Sequence, residues 1–253
     1  MSKKLWFITT KTNLHVGNES ASGFGLIDLA VQRNATTELP CINSSSLKGA
    51  LNEFAAKYKD IDRFTIFGSD KKDKSKGSQK GKYIFYDADL LFMPAQDEDN
   101  LYKMTTSIAV LLRFKEMMEL FNIPVDFLKD LKTEMTKEEK EKLASTLKEK
   151  FGFSKSVVIV GNKDFSDSCD NENLPIIARN VLDNGESKNL WYEQVVPAEA
   201  VFYTVIDHSK EVKDNNLEEK ISKNLVQIGA NATIGYGYCV FCNIDSISND
   251  NNQ

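Results

Sequence analysis

The stretch SSSLKGALNEFAAKY, residues 44–58, decides how the rest of the chain is read. Leu47, Ala50, Leu51, Phe54, Ala55 and Tyr58 fall at the i, i+3, i+4, i+7, i+8 and i+11 positions of one helical stripe. The serines just ahead of the stripe supply N-caps. On the N-terminal side, residues 4–12 combine hydrophobicity with β-propensity and predict a strand. On the C-terminal side, YIFYDADLLFM (83–93) predicts another.

Farther out, residues 105–150 read as helical, with KTEMTKEEKEKLASTLKEKFG (132–152) a charged helix ending near Gly152. SVVIVG (156–161) is a short buried strand, and NLWYEQVVPAEAVFYTVI (189–206) reads as two strands broken at Pro197. A polar helix over 214–227 runs into IGANATIGYGYCVFCNI (228–244), a glycine-bearing loop followed by a last strand. The tail from 246 is expected to be disordered. Strands and helices mix without regular alternation, which favours an α+β fold over a doubly wound sheet.

The chain has 253 residues, 41% hydrophobic and 27% charged, enough for one domain over 1–253 with its own core. That domain carries a helical insertion at about 100–155 and a mobile lysine-rich loop at 70–82. No apolar run is long enough to span a membrane, and the apolar stretch in MSKKLWFITTKT is too short and too polar-flanked for a secretory signal, so a cytoplasmic protein is expected. Cys41, Cys169, Cys239 and Cys242 are too scattered for a disulfide framework. The C-x-x-C of the last two lacks the second pair or nearby histidines that zinc needs, so buried thiols are the simpler reading. A net charge of −5 argues mildly against a nucleic-acid binder, although a basic groove can oppose the global sign.

Besides the lysine-rich loop 70–82, which could contact phosphates non-specifically or be merely solvated, three places could carry chemistry. At the start of the 44–58 helix, Ser45 and Ser46 offer hydroxyls and free amides, and Lys48 sits where the helix field disfavours a cation. A phosphate would reconcile them; a solvated lysine beside a serine cap is the plain alternative. The loop GANATIGYGY offers Gly229, Gly235 and Gly237, where backbone can approach a ligand, but lacks the Gly-Lys-Ser/Thr ending of an ATP-binding loop. The third is Asp28, the one carboxylate in SGFGLIDLAVQRN (22–34). In an extended chain it shares a face with Ala30 and Gln32, opposite Ile27, Leu29 and Val31. With no second carboxylate nearby, it could hold a weakly bound Mg²⁺ or another divalent metal shared with a substrate phosphate, or act as a base.

Taken in order, LHVGNESASGFGLIDLAVQRN, LPCINSSSLKGAL, FGS…GKYIFYDADLLFMP, LWYEQVVPAEAVFY and IGANATIGYGY resemble the backbone subunit of the Cmr (type III-B CRISPR) effector complex, within the RAMP superfamily. The likeness runs from about residue 5 to 242 and is weakest in the helical middle. It implies a ferredoxin-like, RRM-type core with helical and β-hairpin (thumb) insertions. It implies copies stacked helically along a guide RNA beside other Cmr subunits, with each thumb exposing a phosphodiester of single-stranded target RNA. It makes Asp28 the residue on which metal-dependent cleavage depends, with His15 and Glu193 in support. It puts Ser45, Ser46, Lys48, Arg33, Gly235, Tyr236 and Gly237 at the RNA. Asn34, Ser44 and Tyr236 depart from the family's usual residues, which bears on the details of guide contact; Tyr236 could stack on a base.

A single carboxylate suffices for such a reaction because RNA carries its own nucleophile, the 2′-hydroxyl. Two other readings remain at this level: a non-catalytic RNA-binding backbone subunit, and a related enzyme that processes guide precursors alone and without metal.

Overall fold

The computed structural model describes residues 2–17, 27–69, 79–184, 186–209 and 216–243. The lysine-rich loop up to residue 78, the Gly23–Gly25 stretch and the C-terminal tail lie outside the described residues. The first half holds β1 (Ser2–Thr10), β2 (Cys41–Ile42), α1 (Ser44–Ala55), α2 (Arg63–Phe67), β3 (Tyr83–Phe85), β4 (Ala88–Asp97), β5 (Leu101–Ser107) and α3 (Ile108–Phe121). The second holds α4 (Lys137–Lys150), β6 (Val157–Val160), α5 (Asn162–Ser168), β7 (Ile176–Asp183), β8 (Glu186–Gln194), β9 (Val201–His208), α6 (Asn216–Lys223), β10 (Val226–Gln227) and β11 (Tyr238–Asn243).

Four strands form the centre in the order β11-β1-β9-β4, every neighbour antiparallel. With α1 between β1 and β4, and α6 between β9 and β11, this is the β-α-β-β-α-β pattern of a ferredoxin-like core. Strand pleating sorts the side chains. Trp6 packs edge-on against Phe241, and Lys4 on the same face pairs with Glu218 of α6. Phe7, on the opposite face, meets Phe114 of α3 and Phe151 beyond α4.

That second face is the one on which RRM modules stack bases. Here α3 and the aromatic residues Phe151 and Phe153 close it, with Phe92 packed against both. Any RNA contact of this core therefore falls to its edges and loops.

Several sequence expectations need correction. The stretch from 105 is not helical at its start: β5 pairs with β4, and parallel with β6, before α3 begins at Ile108. YIFYDADLLFM is two strands, broken at Tyr86 and Asp87. The polar helix over 214–227 ends at Lys223 and gives way to β10. The serines do not cap α1. Asn43 is its N-cap and makes no side-chain bond to it, while Asp87 Oδ1 accepts from Ser44 N at 2.6 Å. A carboxylate from the break in the strand thus takes a free amide at the positive end of the helix.

β7 and β8 form a separate two-stranded hairpin. Val181 and Leu190 are exposed along it, so it projects from the body rather than covering it. An isolated hairpin is marginally stable in water, and this one depends on how its base is held.

Candidate nucleic-acid interface

The base of the hairpin is where Asp28 lies. Its backbone N–H donates to Tyr192 O (3.0 Å), as does that of Leu29 (3.1 Å), and Gln194 N donates to Leu29 O (2.9 Å). The Asp28 side chain closes the pattern: Oδ2 accepts the Tyr192 N–H at 2.8 Å. Asp28 is exposed while Val31 is buried, so the carboxylate faces solvent with one oxygen anchored. Leu29 next to it is 42% exposed, so it is not buried as Val31 is.

His15 and Glu193 come together beside this segment. Leu29 pairs with Glu193 in a parallel bridge, and Glu193 is 1% exposed. Its Oε2 accepts from Arg179 Nη1 at 3.0 Å and its Oε1 from Asn231 Nδ2 at 2.5 Å. His15, 3% exposed, donates from Nδ1 to the Gln194 carbonyl (2.7 Å), which leaves Nε2 3.6 Å from Glu193 Oε1. The carbonyl is an acceptor only, which assigns the Nδ1 proton. Buried this deeply, both residues have protein as their neighbours.

The glycine-rich loop closes over the same cluster. Ala230 N donates to His15 O at 2.9 Å, and a Cβ on Gly229 (φ 80°) would stand 2.2 Å from that oxygen. Gly237 (φ 75°) passes so close to Ile228 that a Cβ would lie 1.9 Å from its carbonyl oxygen. Gly235 has open space around it, and Tyr236 beside it is half-buried.

The other expected RNA-facing residues divide. Ser45 is exposed on the first turn of α1, Lys48 is exposed just past that turn, and Ser46 is half-buried. Arg33 is committed inward. Its Nε donates to Asn171 Oδ1 (3.2 Å) and its Nη1 to the carbonyls of Glu38 and Cys169 (2.7 Å each). Burial holds its pKa below the usual arginine value. It braces the segment after Asp28 against the turn before β7.

Among the described residues no three or more His, Cys, Asp or Glu side chains cluster to hold a metal. The exposed Asp28 carboxylate offers an oxygen donor that fits a hard cation carried mainly by water and phosphate, and no more than that. Cys239 and Cys242, three apart on β11, point to opposite faces of the strand. A separate cavity of about 170 Å³, lined by Leu39, Asp89, Arg113 and Tyr203 among others, includes none of the expected site residues. Sequence reasoning missed Arg179 and Asn231. An asparagine between two glycine-bearing turns was the only signal either left.

The family model of the RAMP superfamily matches residues 7–240. The chain belongs to the RAMP superfamily. Among RAMP proteins it is 27% identical to the CRISPR system Cmr endoribonuclease Cmr4 of Pyrococcus furiosus, over 90% of this chain and 91% of that one. Its fold matches the crystal structure of oligomeric Cmr4 from Pyrococcus furiosus with a TM-score of 0.71 at 23% identity, covering 96% of this chain and 99% of that one. It also matches a chain of the type III-B Cmr-beta complex bound to cognate target RNA, with a TM-score of 0.70 at 19% identity, covering 98% and 99%. The RAMP fold expected from the ordered segments is the fold observed. No helix among the described residues is long and apolar enough to cross a membrane.

Proposed function

We propose that this chain is the guide-RNA-binding backbone subunit of a type III-B CRISPR effector complex, stacks with copies of itself and other Cmr subunits, and cuts guide-complementary single-stranded target RNA. The observation that carries this is the Asp28 carboxylate, exposed at the base of a projecting hairpin with one oxygen anchored by Tyr192 N and the other outward. The similarity to a Cmr endoribonuclease and to a chain of an RNA-bound Cmr complex supports it.

In this reading the hairpin wedges into the guide–target duplex with its exposed apolar residues and splays one target nucleotide. The 2′-hydroxyl of that nucleotide reaches the in-line position and attacks the adjacent phosphorus. Asp28 accepts its proton or helps hold it in place, the bond to the 5′-oxygen breaks, and that oxygen takes up a proton. A divalent cation shared by Asp28 and the phosphate would supply neutralising charge there. Lys48 and the free amides of α1 bind guide phosphates.

The anchoring bond from Tyr192 favours a second reading as well, since a carboxylate that only ties the strand to the hairpin would make the same contact. In that case the chain is a non-catalytic backbone subunit. Asp28→Asn separates the two, because asparagine keeps the accepted hydrogen bond and loses the charge. Target cleavage by the reconstituted guide complex with Mg²⁺ vanishes in the variant, with target binding intact, if Asp28 is catalytic. Cleavage that persists makes the chain a scaffold.

A further inference from the structure

A carboxylate 1% exposed is costly unless its neighbours compensate it, so the partners of Glu193 are part of its design. They come from separate pieces of the chain: Arg179 from β7, Asn231 from the loop after β10, and His15 from the segment after β1. The peptide that carries Glu193 is the same one that carries Asp28, through Tyr192 N, Tyr192 O and Gln194 N. Whatever fixes the Glu193 side chain fixes the end of β8 to which the Asp28 segment is bonded.

Two features make Arg179 and Asn231 suited to that work. Arg179 lies directly across the ladder from Trp191, its guanidinium 5.5 Å from the ring centroid, which holds the charge in place before it reaches Glu193. Asn231 sits in the left-handed region (φ 65°), which asparagine tolerates better than most residues, in the loop that Gly229 seats on His15 O. Its amide is the side-chain bond from that loop to Glu193, so the glycine-rich loop, the hairpin and the Asp28 segment are tied at one buried carboxylate.

We propose that Asn231 and Arg179 are positioning residues for Asp28, acting through Glu193. The proposal rests on the reading of Asp28 as the cleaving carboxylate. Neither residue touches substrate. Each holds the geometry in which one Asp28 oxygen is bound and the other presented.

The test uses the reconstituted guide complex and reads both single-turnover target cleavage and hydrogen exchange at the Tyr192 and Gln194 amides. Asn231→Ala slows cleavage about tenfold, the usual scale for an outer-shell partner, with target affinity unchanged and the two amides exchanging faster. Asn231→Asp slows it further by setting two carboxylates against each other. The double variant Asn231→Asp with Glu193→Gln exchanges acid and amide and recovers part of the loss, which general destabilisation would not do. Arg179→Lys retains more rate than Arg179→Met. Variants that assemble, cut at the wild-type rate and keep both amides protected overturn the proposal. If the wild-type complex binds target and never cuts, the catalytic reading of Asp28 fails separately. Exchange then decides: faster exchange in Asn231→Ala supports the positioning role, and unchanged exchange refutes it.

Discussion

Tyr192 grips Asp28 through both of its backbone groups: its carbonyl accepts from Asp28 N at 3.0 Å, and its N–H donates to Asp28 Oδ2 at 2.8 Å. The two residues are 164 positions apart, and this pairing joins the segment between β1 and β2 to the hairpin that precedes β9.

The grip has a measurable share in stability. Asp28→Asn keeps an oxygen to accept the Tyr192 N–H, whereas Asp28→Ala leaves that donor without its partner. The alanine variant is expected to be about 1 kcal/mol less stable than the asparagine variant by urea unfolding. Equal midpoints would show that water replaces the bond at no cost.

The glycines of the terminal loop differ in what they tolerate. Gly229→Ala and Gly237→Ala place a methyl 2.2 and 1.9 Å from carbonyl oxygens and keep a left-handed φ, and each should cost about 2 kcal/mol or more. Gly235→Ala meets open space, so only its backbone conformation is penalised, at about 1 kcal/mol. Thermal melts of the three variants rank them directly.

Lys48 and Arg33 should separate into binding and folding effects. Lys48 is exposed at the start of α1, so Lys48→Ala lowers the salt slope of guide binding by about 0.7 for each phosphate it ceases to neutralise and leaves the melting temperature unchanged. Lys48→Glu weakens binding further by repulsion. Arg33 is held by Asn171 and two carbonyls, so Arg33→Ala lowers the melting temperature first. An unchanged slope for Lys48→Ala would make that lysine a solvated surface group.

Burial pushes the Cys41 and Cys239 thiols up to about 12 and that of Cys169 to about 11. Because the thiolate is the nucleophile, these three stay unreactive toward a disulfide reagent at pH 8 in the folded protein. Cys242 is partly exposed and is the one expected to react before denaturant is added. Rapid labelling of more than one thiol in native protein would contradict this burial.

Legibility along the chain followed burial pattern. The 47–58 stripe was readable because one face of α1 packs on the core and the other faces water, which is what a helical period records. β7 (IIARNVLD) was missed because a projecting hairpin has no core-facing side to impose alternation. α5 has Phe165 as its only buried residue, too little for a stripe. β5 was absorbed into the helix that follows it, since its buried half runs straight into the apolar start of α3.

The sequence by itself determined the α+β class, the clearest helix, the strands on either side of Pro197 and, through its resemblance to a family, the singling out of Asp28. Tertiary structure alone decided that Asp87 caps α1, that Arg33 turns inward, and that Arg179 and Asn231 meet on Glu193. The reason is range. Periodicity and capping signals act over a few residues, whereas the anchoring of Asp28 depends on backbone groups that only the folded sheet brings within 3.0 Å.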